Sequence, residues 1–232
     1  MALVFSFELL AAPILVDNFN TSQGPLTLTS GGPDDTATSG VGTAGNSIGD
    51  GRILYITSTL ASPPTADHSV IVNSLSNGLL TFTAGLDDAP EVGLTYDTNT
   101  DPLAPPAAFS PTINASGHTT FRIQARADAS FTGRLIIFGG GTNSVWDFTI
   151  PNTGLGGAFT PVDIDLLAPS IGTGGEISAI DSIFLGLNAE TTGGTLELDN
   201  LEFAGEPVPE PATYLMMAAG LLLIGFRCKL RQ

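Results

Sequence analysis

The sequence predicts an all-β protein, an antiparallel β-sandwich, and three observations predict it. Short apolar runs rich in β-branched and aromatic residues recur along the chain, with Gly, Asn, Asp or Pro between them. Their spacing is roughly 8 to 25 residues, and no amphipathic helical pattern interrupts them. Charged residues make up only 13% of the chain, against about a quarter in an ordinary soluble domain, and Thr, Ser, Gly, Asn and Pro take their place.

The runs follow in order. Leu15 to Phe19 opens the body, and Arg52 to Leu60, Ser69 to Leu75, Gly78 to Ala84 and Glu91 to Tyr96 read as strands. Thr119 to Ala125, Thr132 to Gly139, Ser144 to Ile150, Phe159 to Leu166, Asp181 to Leu187 and Thr195 to Phe203 continue the series. Phe121, Ile123 and Ala125 share one face against Arg122, Gln124 and Arg126, the pattern of a half-solvated strand. Pro25 to Asp50, rich in Gly, Ser, Thr and Asp, reads as a long loop, and proline-rich Asp97 to Pro111 as a second.

Charge narrows the function. The chain carries 23 acidic residues against seven basic ones, for a net charge of −16. Between residues 12 and 206 the only basic residues are Arg52, Arg122, Arg126 and Arg134. Binding phosphate requires Lys and Arg to displace counterions, so this body excludes nucleic acid as a partner. A carboxylate-rich surface without lysine suits divalent cations and neutral sugars better. The single cysteine, Cys228, lies in the basic tail, so the body has neither a disulfide nor a thiolate metal site.

The C-terminal end is the most informative segment. Val208-Pro209-Glu210-Pro211 precedes an apolar run, Ala212 to Phe226, and then Arg227-Cys228-Lys229-Leu230-Arg231. The prolines stop any helix from continuing upstream. As a helix, residues 212–226 would reach roughly 22 Å, a short transmembrane segment, with Arg227, Lys229 and Arg231 anchoring its end on the cytoplasmic side. This order of elements resembles the PEP-CTERM sorting signal. The resemblance implies that an exosortase in the cytoplasmic membrane recognises Pro209, Glu210 and Pro211 and processes the chain for delivery to the cell surface. Residues 206–232 are thus expected to be a sorting tail, and 14–205 the sandwich domain.

Residues 1–13 hold Leu3, Val4, Phe5, Phe7, Leu9 and Leu10 before Ala11-Ala12, like the later half of a signal peptide. A positive n-region is missing and Glu8 interrupts the run, which is expected of a truncated or misassigned start.

The ends of the body carry a second resemblance. Asp17-Asn18-Phe19 near its beginning and Leu198-Asp199-Asn200-Leu201-Glu202-Phe203 at its close look like the terminal strands of jelly-roll carbohydrate-binding modules. That resemblance implies that the first and last strands pair and that Asp17 and Asp199 hold a structural calcium ion. The alternative is that both aspartates cap strand ends and turns.

Other spellings fail on context. Gly40-Val41-Gly42-Thr43-Ala44-Gly45 has the glycines of a dinucleotide fingerprint without the strand and helix that make it work. Gly45-Asn46-Ser47-Ile48-Gly49 spells a nucleophile elbow with no strand before it or helix after it. Asp97 to Asp101 begins like a calcium loop, but Pro102 stands where glycine is needed. Asp163 and Asp165 share a strand face, His68 and His118 have no ligand spacing, and Trp146 reads as core. No catalytic residue is assigned.

The expectation is an exported, non-enzymatic protein of the cell surface or exopolysaccharide matrix. Its partners are the exosortase, the cytoplasmic membrane and polysaccharide. A carbohydrate-binding module with a structural calcium is the alternative and would show exposed aromatic residues across one sheet face or loop rim. A sandwich-fold hydrolase is the remote alternative.

Overall fold

The computed structural model describes residues 12–204 apart from 33–35, 44–45, 59–65, 74–76, 87–89, 99–100, 102–106 and 190–192. The expected leader up to residue 11, the sorting motif at Pro209, Glu210 and Pro211, the apolar run 212–226 and the basic residues Arg227, Lys229 and Arg231 lie outside the described residues.

Among the described residues the chain forms thirteen strands and two one-turn 3-10 segments, Ile48–Asp50 and Gly175–Ser178. The strands are β1 (Ile14–Asp17), β2 (Gln23–Leu28), β3 (Thr36–Gly42), β4 (Gly51–Ser58), β5 (His68–Val72), β6 (Leu80–Ala84) and β7 (Pro90–Asp97). They continue with β8 (Thr120–Ala127), β9 (Phe131–Gly139), β10 (Thr142–Ile150), β11 (Thr160–Asp165), β12 (Ser182–Ala189) and β13 (Gly194–Ala204). None of the described helical segments is long and apolar enough to cross a membrane.

The strands make two antiparallel sheets. One has seven strands in the order β11-β8-β13-β6-β5-β2, with β1 also on β13; the other has six in the order β10-β9-β12-β7-β4-β3. At eleven residues β13 is long enough to carry β6 along Gly194–Leu198 and β1 along Leu201–Phe203, while β8 runs down its other flank. The first strand therefore pairs with the last, Ile14 opposite Phe203 and Asp17 opposite Leu201.

Period-two alternation builds the core. On β8, Phe121, Ile123 and Ala125 are buried while Arg122, Gln124 and Arg126 stay partly solvated, as the sequence predicts. Leu135 and Ile137 from β9, Leu185 and Leu187 from β12, and Leu94 from β7 fill the space from the other sheet. Phe121 meets Phe203 edge-on at 5.2 Å between ring centres, and Phe82 meets Phe131 at 5.9 Å. Trp146 is 2% exposed and belongs to this core, as its strand context predicts.

The segment Pro25–Asp50, read from sequence as one long loop, holds two strands instead. The physical reason is position. β2 and β3 are the outer strands of their sheets, each paired on one flank only. Only Gln23 and Leu28 of β2 are buried and no residue of β3 is, so neither needs an alternating apolar pattern. Pro25 has no N–H to offer, which an edge strand tolerates. The two edges meet, and Gln23 Nε2 donates to the Ser39 carbonyl at 2.8 Å.

Candidate functional site

The strongest candidate lies on the outward face of the six-stranded sheet. Residues facing out alternate with core residues on each strand: Thr132, Arg134 and Ile136 on β9, and Phe184, Gly186 and Asn188 on β12. Register then sets which of them meet. Tyr55 of β4 stands opposite Gly93 of β7, Gly93 opposite Gly186 of β12, Gly186 opposite Arg134 of β9, and Arg134 opposite Asp147 of β10. One row across five strands thus reads Tyr-Gly-Gly-Arg-Asp. Two glycines at its centre carry no side chain, and beside Gly186 opens a cleft of about 680 Å³ lined by Glu91, Arg134, Asp147, Phe184 and Gly186 among others.

The glycines are there for space. A Cβ on Gly93 would stand 1.9 Å from Cε1 of Tyr55, so the Tyr55 ring lies down over the bare backbone. A Cβ on Gly186 would come within 3.0 Å of Phe184. The Tyr55 and Phe184 rings are nearly parallel, 12° apart with centres 6.0 Å from one another. The Tyr55 hydroxyl donates a short hydrogen bond to Glu91 Oε1, which fixes the ring. Burial first, then the Glu91 carboxylate, pushes that hydroxyl well above its usual range, so it stays a proton donor.

At the other end of the row Arg134 Nε donates to Asp147 Oδ1 at 2.8 Å, with both side chains about half exposed. Asn188, Thr132 and Thr149 add amide and hydroxyl groups at the rim. The cleft therefore offers the Phe184 ring, backed by the parallel Tyr55 ring beside it, and a set of hydrogen-bonding groups. Such a surface can hold a molecule with an apolar face and a polar edge. Each carboxylate in the cleft already has a partner, Tyr55 for Glu91 and Arg134 for Asp147.

Asp17 and Asp199 are placed differently. Asp17 is fully buried; its Oδ1 accepts from the Phe19 amide at 2.7 Å and its Oδ2 from Arg52 Nη1 at 2.6 Å. Arg52, also fully buried, donates Nε to Gln23 Oε1 at 2.7 Å and Nη2 to the Thr21 carbonyl at 2.6 Å, and stands 5.7 Å from the centre of the Phe19 ring. Asp199 is half-buried on β13, at the register shift between Leu198 and Asn200. Calcium needs six to eight oxygen ligands, and among the described residues no three His, Cys, Asp or Glu gather as metal ligands. The residues around Asp17 do not fit the ion: a guanidinium already supplies the positive charge and occupies the carboxylate.

The remaining residues singled out from sequence serve the fold. Asp163 receives two hydrogen bonds from Arg122, at 2.7 and 2.9 Å, on the seven-stranded sheet, and Asp165 accepts the Leu167 amide. His68 Nδ1 accepts from the Gly85 amide, and His118 Nε2 lies 3.1 Å from the Ala12 carbonyl oxygen. Asp97 is buried at the end of β7, its Oδ2 accepting the Ala107 amide. Glu176 is held by Thr142 at 2.8 Å and Ser144 at 2.6 Å, pinning the second 3-10 segment to β10.

Sequence reading missed the cleft. Its signal was the isolated glycines, Gly93 and Gly186, inside otherwise apolar strands, where a missing side chain marks a close approach.

Comparison with known proteins adds the following. Residues 207–232 match the family model described as the PEP-CTERM protein-sorting motif, which indicates an exported chain processed by an exosortase at the membrane. No curated protein matches the sequence. Similar solved structures include the family 11 carbohydrate-binding module of a cellulosomal cellulase of Clostridium thermocellum. It is 12% identical with a TM-score of 0.42, over 86% of this chain and 98% of that one. A family 29 carbohydrate-binding module matches at 8% identity and TM-score 0.37, over 80% of this chain and 90% of the module. A family 43 arabinoxylan arabinofuranohydrolase from Bacillus subtilis matches at 12% identity and TM-score 0.35, over 56% of this chain and 22% of the hydrolase.

Proposed function

We propose that this is a surface or matrix protein that, once exported and processed by an exosortase-type system, holds polysaccharide without altering it. The single observation that carries the reading is the sorting motif at 207–232. On this reading Pro209, Glu210 and Pro211 are the recognised residues. The run 212–226 is a transient helix in the cytoplasmic membrane, and Arg227, Lys229 and Arg231 fix its end. The body, a jelly-roll-like sandwich, is what reaches the cell surface or exopolysaccharide matrix.

The cleft beside Gly186 supports the polysaccharide role. A sugar ring has apolar C–H faces and a hydroxyl periphery. Phe184, with the Tyr55 ring parallel to it, supplies flat apolar surface for the first, and Glu91, Asn188, Arg134 and Asp147 supply partners for the second. The Phe184 ring in this cleft favours a carbohydrate-binding module proper as the second reading.

The test is the mature C-terminus, read by mass spectrometry from the native host and from a strain lacking exosortase. Loss of the chain beyond the Pro209-Glu210-Pro211 region only where the enzyme is present is the expected result. An intact tail in membranes of both strains would leave a plain tail-anchored protein instead.

A further inference from the structure

We propose that the cleft on the six-stranded sheet takes an uncharged glycan chain, lying across the strands, and turns away polyanionic ones. This rests on the reading that the protein holds polysaccharide, and names which class.

The cations of the body decide the class. A uronate, sulfate or ketal-linked pyruvate is bound by Lys or Arg. From residue 12 to 206 the chain has no lysine and four arginines. Arg52 is buried against Asp17, Arg122 is paired with Asp163, and Arg126 is paired with Glu197 and stacked 4.5 Å over the centre of the Phe159 ring. Arg134, the one arginine lining the cleft, is paired with Asp147. Each guanidinium is thus already matched by a carboxylate. An anionic sugar entering the cleft would have to displace Asp147 from Arg134 and then sit beside it, with Glu91 across the floor and a chain of net charge −16 around it.

A neutral chain meets none of that. Its hydroxyls donate to Glu91 and Asp147 as charge-assisted hydrogen bonds and accept from Arg134, Asn188 and the rim threonines. The direction follows from register. Gly186, Arg134 and Asp147 stand level on β12, β9 and β10 and all line the cleft, so their row runs perpendicular to the strands.

The test is affinity electrophoresis of the full-length chain in a non-glycosidic detergent. The gels carry exopolysaccharide purified from the native host and split by anion exchange into uncharged and anionic pools. The uncharged pool is expected to retard the protein with little dependence on salt, and the anionic pool about tenfold more weakly, as one like-charge contact at partial exposure implies. Phe184→Ala should abolish retardation. Asp147→Asn, a conservative change at an exposed pair, should keep the fold while releasing Arg134, and so raise retardation by the anionic pool. Equal or stronger retardation of the unaltered protein by the anionic pool would overturn the inference and leave the polysaccharide reading standing. Retardation by neither pool would remove the polysaccharide reading and this inference with it.

Discussion

Replacing Arg52 with methionine is expected to destabilise the protein severely. Arg52 and Asp17 are both fully buried and 2.6 Å apart. Burial already holds the Asp17 carboxyl above its usual range, outweighing the pull of the Arg52 charge and its hydrogen bond. Removing the guanidinium leaves that carboxylate without its counter-charge, and strips the Gln23 side-chain oxygen and the Thr21 carbonyl of their donors. Breaking one side of a buried pair costs about 3–5 kcal/mol. For a domain of this size, roughly 2–4 °C of melting temperature go with each kcal/mol, so Arg52→Met should melt about 6–20 °C lower. Adding Asp17→Leu removes the stranded charge, and apolar replacement of a whole buried pair is often close to neutral. The double variant should therefore regain a large part of the loss, short of the unpaired Gln23 and Thr21 oxygens. Thermal melts of the full-length variants by circular dichroism, in one detergent, read all three values. Arg52→Met within about 1 kcal/mol of the parent, or a double variant as unstable as the sum of the single changes, would show that Arg52 and Asp17 are not a mutually dependent buried pair. Because Arg52 occupies Asp17, adding calcium or a chelator should leave the parent melt unchanged.

Two further predictions concern other sites. Burial pushes the Glu176 carboxyl up, but hydrogen bonds from Ser144, its own backbone amide and Thr142 outweigh it and hold the group below its ordinary value of 4.5. A lowered folded-state value means that the stabilisation is complete above about pH 4.5 and is lost as pH falls through the folded value. Melts at stepped pH should show Glu176→Gln less stable than the parent at pH 7, with the gap closing below 4.5; a gap independent of pH would contradict this. Gly93→Ala drives a methyl into the Tyr55 ring, which a Cβ would approach at 1.9 Å. Overpacking of this kind costs roughly 1–3 kcal/mol, and the displaced ring should weaken glycan retardation in the same variant; unchanged melting and binding would show that the ring is not held down on the glycine.

Much of this protein was legible before any fold was drawn. Alternation on Phe121, Ile123 and Ala125, and the apolar runs around Leu94, Leu135 and Leu185, identify strands and their inward faces, because side-chain parity along a strand is local. The terminal motif around Pro209, Glu210 and Pro211 is equally local, being read as linear sequence. The strands β2 and β3 escaped because an edge strand needs hydrogen bonds on one side more than it needs buried side chains, and Thr36–Gly42 offers only the former.

Arg52 sits between these cases. It shares parity with Leu54 and Ile56, both fully buried, so its inward direction was written in the strand, while the partner that makes burial tolerable was not. Asp17 reaches it from the other sheet. The cleft is the same kind of fact on a larger scale. Each glycine is visible alone, but that Gly93 and Gly186 stand level, between Tyr55 and Arg134, depends on the register of four pairings among five strands. Local parity belongs to the sequence, because the pleat repeats every two residues. Level and partnership belong to the tertiary structure, because they are set by which strands lie side by side.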